Sequence, residues 1–194
     1  MIKFSQLMQN TLVNMEAPQF EERIDLVVKL LQQTLENGGL VICAGNGGSM
    51  SIAEHLVSDL VKGEKIPETV TRRAICLGSN QVIMSALAND QGYENALRHE
   101  AIWHGVGQDD VILSFSVSGT SKNIINLIEH YANKAHIISF TGIHARKEYE
   151  GEMLIPIPVP EDAIESSYYY GICEATFSAI AHYLGCKARR QNHE

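Results

Sequence analysis

The sequence predicts an α/β domain: a parallel sheet with helices on both faces. Two observations carry that reading. Short, continuously apolar runs recur along the chain, as expected of strands covered on both sides. Between them lie stretches whose apolar residues repeat at helical spacing. The length of 194 residues suits one such domain. A chain this size buries about 70% of its unfolded surface, and two full-sized domains would be cramped.

In order, residues 20–36 place Ile24, Val27, Val28, Leu31 and Leu35 on one helical face, and Asn37-Gly38-Gly39 stops the helix. Leu40 to Ala44 is the first apolar strand, and Gly45-Asn46-Gly47-Gly48-Ser49 is a turn. Ile52, Ala53, Leu56, Val57 and Leu60 mark the next helix. Ala74 to Leu77 forms a second strand, followed by a short helix near Val82–Leu87 and another near Tyr93–His104. Val111 to Phe115 is the third strand, and a second polar turn leads into a helix carrying Ile124, Ile125, Leu127, Ile128 and Tyr131. His136 to Phe140 is the fourth strand. Met153 to Val159 contains Pro156 and Pro158, which cannot donate to a ladder, so it is an edge strand. The last helix is expected from about Ala163 to Leu184. No repeat, linker or low-complexity stretch interrupts the chain, so residues 1–194 read as a single domain that includes an N-terminal helical arm, 1–37.

Composition excludes several function classes. Apolar residues make up 45% and charged residues 20%, a globular balance rather than a disordered one. The net charge is −8, and the only basic cluster is Lys187-Ala188-Arg189-Arg190, so direct nucleic-acid binding is not expected. No apolar run approaches a bilayer span, and Met1 to Ser5 opens without a signal-like apolar stretch. Cys43, Cys76, Cys173 and Cys186 form no CxxC pair. Cys43 and Cys76 lie in apolar runs and read as buried thiols. The expectation is a reduced, cytoplasmic protein.

Two polar turns carry the functional signal. Ligands bind beyond the carboxyl ends of strands in such a sheet. Gly45-Asn46-Gly47-Gly48-Ser49 and Ser116-Val117-Ser118-Gly119-Thr120-Ser121 both end a strand and open a helix. Glycine permits close backbone approach, the hydroxyls donate, and a helix start offers free N–H groups; together these suit an anion. The same residues also serve as ordinary helix caps. Neither turn is a Walker A or a GxGxxG motif, which points to a small phosphorylated metabolite rather than a nucleotide.

Val41-Ile42-Cys43-Ala44-Gly45-Asn46-Gly47-Gly48-Ser49 followed by Ala53-Glu54-His55 resembles the opening of sugar isomerase (SIS) domains of the phosphoheptose isomerase type. Ala88-Asn89-Asp90 and the Ser116–Ser121 turn match that family's next two motifs in order. The resemblance covers nearly the whole chain. It implies a three-layer, doubly wound, flavodoxin-like fold with a five-stranded parallel sheet. It also implies a homotetramer with active sites between subunits, and conversion of sedoheptulose 7-phosphate to D-glycero-D-manno-heptose 7-phosphate, often with zinc. Carried over, Ser49, Ser116, Ser118 and Ser121 hold the phosphate, with Gly47 and the amide of Gly119 beside it. Asn46 and Asp90 face sugar hydroxyls, Asp162 contacts substrate, and His55 matches the metal-binding histidine.

Isomerisation between aldose and ketose needs a base, an acid and a group that polarises the carbonyl. His55 and Asp59 stand at i, i+4 on one helical face, a spacing that can hold a metal. An ordinary surface pair has the same spacing. The chain departs from the family twice. Asp59 stands where the family has Glu. In the last helix the family carries a Gln and, eight residues on, a His, whereas here no His appears until His182. Aligning Asp162 and Ile164 puts Glu165 and Cys173 at those two places, and a slip of one residue gives Ser166 and Glu174. The first register retains the Asp, so the expected zinc ligands are His55, Asp59, Glu165 and Cys173, with Asp59, Glu165 and Cys173 as the catalytic groups. Tyr168, Tyr169 and Tyr170 read as a subunit interface. The alternative function is a non-catalytic sugar-phosphate-binding relative that docks a partner such as the replication initiator.

Overall fold

The computed structural model describes residues 3–62, 72–143, 148–160, 164 and 168–189. Its sheet has five strands, all parallel, in the order β2-β1-β3-β4-β5. The strands are β1 (Leu40–Gly45), β2 (Arg73–Cys76), β3 (Val111–Ser116), β4 (His136–Gly142) and β5 (Glu152–Ile157). The helices are α1 (Phe4–Met15), α2 (Pro18–Glu36), α3 (Gly48–Val61), α4 (Gln81–Gln91), α5 (Tyr93–Trp103), α6 (Lys122–Tyr131) and α7 (Tyr169–Ala188). The order 2-1-3-4-5 is the flavodoxin-like one, and its direction of winding reverses between β1 and β3. In register, Val41 pairs with Val111 and Val111 with His136.

Both faces of the sheet are covered, as the unbroken apolar strands require. Every residue of β1 and of β3 is buried. Alternate side chains go to opposite layers. Val41, Cys43, Leu113 and Phe115 join Leu31, Leu56, Leu60, Phe177 and Leu184 beneath α2, α3 and α7. Ile42, Ala44 and Ile112 join Leu97, Ala101, Leu127 and Ile128 beneath α5 and α6. Phe115 stacks on Phe140, centroids 5.4 Å apart, and meets Phe177 at 5.5 Å. Truncating Phe177 would cost about 3–5 kcal/mol.

One expectation is refined. The helical arm is two helices, because Pro18 sits at the start of α2, where its missing N–H is no loss. The expected onset of the last helix at Ala163 lies outside the described residues. Pro156 lies in β5 opposite Thr141, on the edge of the sheet as its residue type demands. Among the described residues no helix is long and apolar enough to cross a membrane.

The feature that positions the site is the pairing of α3 with α7. Both follow strands of one parallel sheet and lie on the same face, and they run side by side in the same direction. Gly48 at the start of α3 meets Glu174, and Asp59 near its end meets Gly185. A Cβ added at Gly185 would come 2.5 Å from the Cβ of Asp59. That glycine is what permits the helices to touch.

Candidate functional site

The two polar turns lie side by side at the carboxyl ends of β1 and β3, where the winding of the sheet reverses. Gly47 takes φ 54° and ψ −123°, and Gly119 takes φ 63°. Both are left-handed conformations that a side chain disfavours, so each turn needs its glycine. In the first turn, the Ser49 and Met50 amides donate to the Asn46 carbonyl. In the second, the Gly119 amide donates to the Ser116 carbonyl and the Thr120 amide to Ser118 Oγ at 3.2 Å.

Between the turns is a cavity of about 140 Å³. Asn46 and Ser49 line it from the first turn, Ser116, Ser118 and Ser121 from the second. Phe115 and Val117 form its floor, and Tyr170 and Glu174 close it from α7. At about 30 Å³ per water it holds roughly five waters, room for a phosphate group. The sequence-predicted residues Asn46, Ser49, Ser116, Ser118 and Ser121 are therefore brought together, with Gly47 and Gly119 shaping their turns. Asp90 is not among them: it is exposed near the end of α4, where its carboxylate accepts from Asn89 Nδ2 at 2.8 Å. Asp162 and Glu165 lie outside the described residues, as do Ser166 and Ser167.

A second group lies farther along α3. His182 Nδ1 is 2.8 Å from Asp59 Oδ2, His55 Nε2 is 3.2 Å from the same oxygen, and the two imidazole nitrogens are 3.4 Å apart. One ligand atom from each of the three residues lies within 4.8 Å of the others. Lys62 Nζ approaches Asp59 Oδ1 at 3.5 Å. The carboxylate is buried at 2% side-chain exposure while the histidines reach solvent at 55% and 62%. Two imidazole nitrogens and a carboxylate oxygen form a donor set that suits zinc and leaves a fourth position open. Asp59 lies ten residues beyond Ser49, about 15 Å along the helix axis, and His55 six residues, about 9 Å.

His55 and Asp59 were expected in this group; His182 was not. Cys173, expected as a ligand, is absent from it. It is fully buried in the core, and its thiol is pushed up to about 12, chiefly by burial, although a hydrogen bond with Tyr169 opposes the shift. Nine residues separate Cys173 from His182, which is two and a half helical turns, so they occupy opposite faces of α7. A helix that turns position 173 to the core turns position 182 outward. Only the pairing of α7 with α3, over a sequence distance of 123 residues, brings His182 to Asp59. Cys43 and Cys76 are buried thiols as expected, both shifted upward by burial, Cys76 to about 12.

The SIS domain family model matches residues 3–142. A phosphoheptose isomerase of Helicobacter pylori is 38% identical over 109 residues, 56% of this chain and 56% of that protein's length. A phosphoheptose isomerase of Maridesulfovibrio salexigens is 31% identical over 176 residues, covering 85% of this chain and 82% of that one. Among solved structures, a phosphoheptose isomerase from Francisella tularensis superposes with a TM-score of 0.81 over 97% of this chain and 95% of that one. At 24% identity this last likeness speaks for the fold alone.

Proposed function

The chain belongs to the SIS domain family, and from that premise we propose that it is a phosphosugar isomerase acting on a seven-carbon ketose phosphate. The observation that carries the reading is the serine-lined cavity between two helix-opening turns at the reversal point of the sheet. Its hydroxyls and helix starts suit a phosphate, and its volume admits the phosphate group of a sugar phosphate. The names borne by the relatives support an isomerase over the partner-docking alternative.

In this reading Ser49, Ser116, Ser118 and Ser121 anchor the phosphate of sedoheptulose 7-phosphate. The sugar extends from there; a seven-carbon chain and its phosphate span on the order of 10 Å at bond lengths of about 1.5 Å. That is comparable to the axial distance from Ser49 to His55, so the carbonyl end falls to the second group. The reaction moves a proton between C1 and C2 through an enediol, giving D-glycero-D-manno-heptose 7-phosphate. Asp59 Oδ2 lies 2.8 Å from His182 Nδ1 and 3.2 Å from His55 Nε2 and so orients both imidazoles toward one point. His55, Asp59 and His182 are the residues that would hold zinc. When bound, the ion supplies polarisation of the carbonyl oxygen and of the enediolate. Asp162 and Glu165 keep their assignment to substrate and metal on the resemblance alone.

A homotetramer in a cytoplasmic setting is part of the same proposal. The outward apolar side chains of α1, Phe4, Leu12 and Val13, support an assembly surface. The test is direct. Zinc-supplied protein is incubated with sedoheptulose 7-phosphate and the products are followed by ³¹P and ¹³C NMR. Appearance of the aldose is expected. No turnover of any six- or seven-carbon ketose phosphate would discard the reading.

A further inference from the structure

We infer that Glu174 sets the specificity of the anion pocket, disfavouring bare phosphate and favouring a phosphate that carries a hydroxylated carbon chain. The inference rests on the phosphosugar reading above. Glu174 enters the cavity from α7, one turn beyond Tyr170. Its carboxylate lies against the backbone of Gly48: a Cβ added there would come 2.6 Å from Oε1 and 2.9 Å from Oε2. The carboxylate therefore sits on the first turn of α3, the turn that also carries Ser49.

An acid in a pocket built for an anion calls for an explanation. Among the described lining residues only Glu174 and Tyr170 ionise, so no lysine or arginine offsets the carboxylate there. A bare phosphate brings negative charge and acceptor oxygens to the serines, and an ionised carboxylate beside it offers repulsion and no donor. A sugar phosphate differs at the next atoms along the chain. Its hydroxyls are donors, and a hydroxyl donating to a carboxylate makes a charge-assisted bond of the strong kind. The one residue thus subtracts at the phosphate and adds at the adjoining hydroxyls, and selectivity arises from the difference. Gly48 belongs to this device, because any side chain at that position would displace the carboxylate.

The experiment is a calorimetric comparison of two probes, inorganic phosphate and sedoheptulose 7-phosphate, on the wild-type protein, E174Q and E174S. Removing the charge is expected to tighten inorganic phosphate about tenfold and to leave the sugar phosphate no tighter, so that the ratio of the two constants collapses by about that factor. A merely structural role would move both ligands in the same direction. Circular dichroism melting checks folding, and E174S supplies the readout if E174Q does not fold. Wild-type binding of the sugar phosphate with an unchanged ratio in both variants overturns the role of Glu174 alone. Failure of the wild-type protein to bind the sugar phosphate at all overturns the functional reading beneath it.

Discussion

Asn46 and Asn123 exchange two amide hydrogen bonds: Asn46 Nδ2 donates to Asn123 Oδ1 at 2.9 Å, and Asn123 Nδ2 donates to Asn46 Oδ1 at 2.8 Å. Asn46 belongs to the turn after β1, and Asn123 opens α6 after β3 with only 2% exposure. The Tyr93 hydroxyl adds a third bond to Asn46 Oδ1 at 2.8 Å. The two turns are therefore tied together, and Asn46 keeps one N–H for a ligand.

Replacing Asn123 with alanine removes one partner from each polar end of Asn46, leaving Oδ1 with the Tyr93 hydroxyl alone, and opens a small void. The expected cost is about 1–3 kcal/mol in urea unfolding, accompanied by a rise in KM for the sugar phosphate. Unchanged unfolding midpoint and KM would show that the tie has no role.

The serines of the second turn are expected to act through the phosphate. S118A and S121A should each weaken sugar-phosphate binding about 10- to 100-fold, the worth of one hydrogen bond to a charged group. S85A serves as the control: Ser85 is exposed on α4 and its hydroxyl donates to the Val82 carbonyl, away from the cavity. Equal effects at positions 85 and 118 would sink the assignment.

Zinc retention distinguishes the last-helix candidates. Protein loaded with zinc and desalted is analysed by elemental mass spectrometry. H182A and D59N should lose the metal, and C173A should keep it. The reverse pattern would restore the thiol as the ligand.

Glu100 gives the fold a pH dependence of its own. Its carboxyl accepts from the Gly78 amide at 2.7 Å, and burial raises its pKa above the ordinary value in spite of that bond and of the nearby His104. A folded-state pKa above the unfolded one contributes stability at low pH that is lost as pH rises through the folded value. E100Q carries no such loss. Its melting temperature should gain on the wild type as pH rises from about 4 to 8, and a constant difference across that range would contradict the shift.

Much of the architecture was legible because strands buried on both faces are predominantly apolar, and the serine inside β3 is paired with Ser139 on β4. Val41–Ala44 and Val111–Phe115 have no competing reading at that length, and the helices between them follow from spacing. The two turns stood out because glycines and serines clustered after buried strands have few other uses. The break between α1 and α2 hung on Pro18 alone, and the long amphipathic run that follows it obscured the first helix. The second group was only half legible. His55 and Asp59 share one helix and can be paired by counting. His182 reaches them through the docking of α7, which no local pattern encodes. Asp90 is carried by a motif, yet α4 holds it outside the cavity. Glu174 was visible only as the outcome of a one-residue slip, because alignment compares positions whereas the helix decides which face meets the pocket.

Gly185 has a reach beyond its own contact with Asp59. The helices it brings together also meet at Gly48 and Glu174, some 16 Å away by the rise of eleven residues. A methyl group at 185 would act as a wedge under one end of a beam. Both chemical stations ride on that beam, so a substitution remote from the phosphate turns would tilt the carboxylate over them.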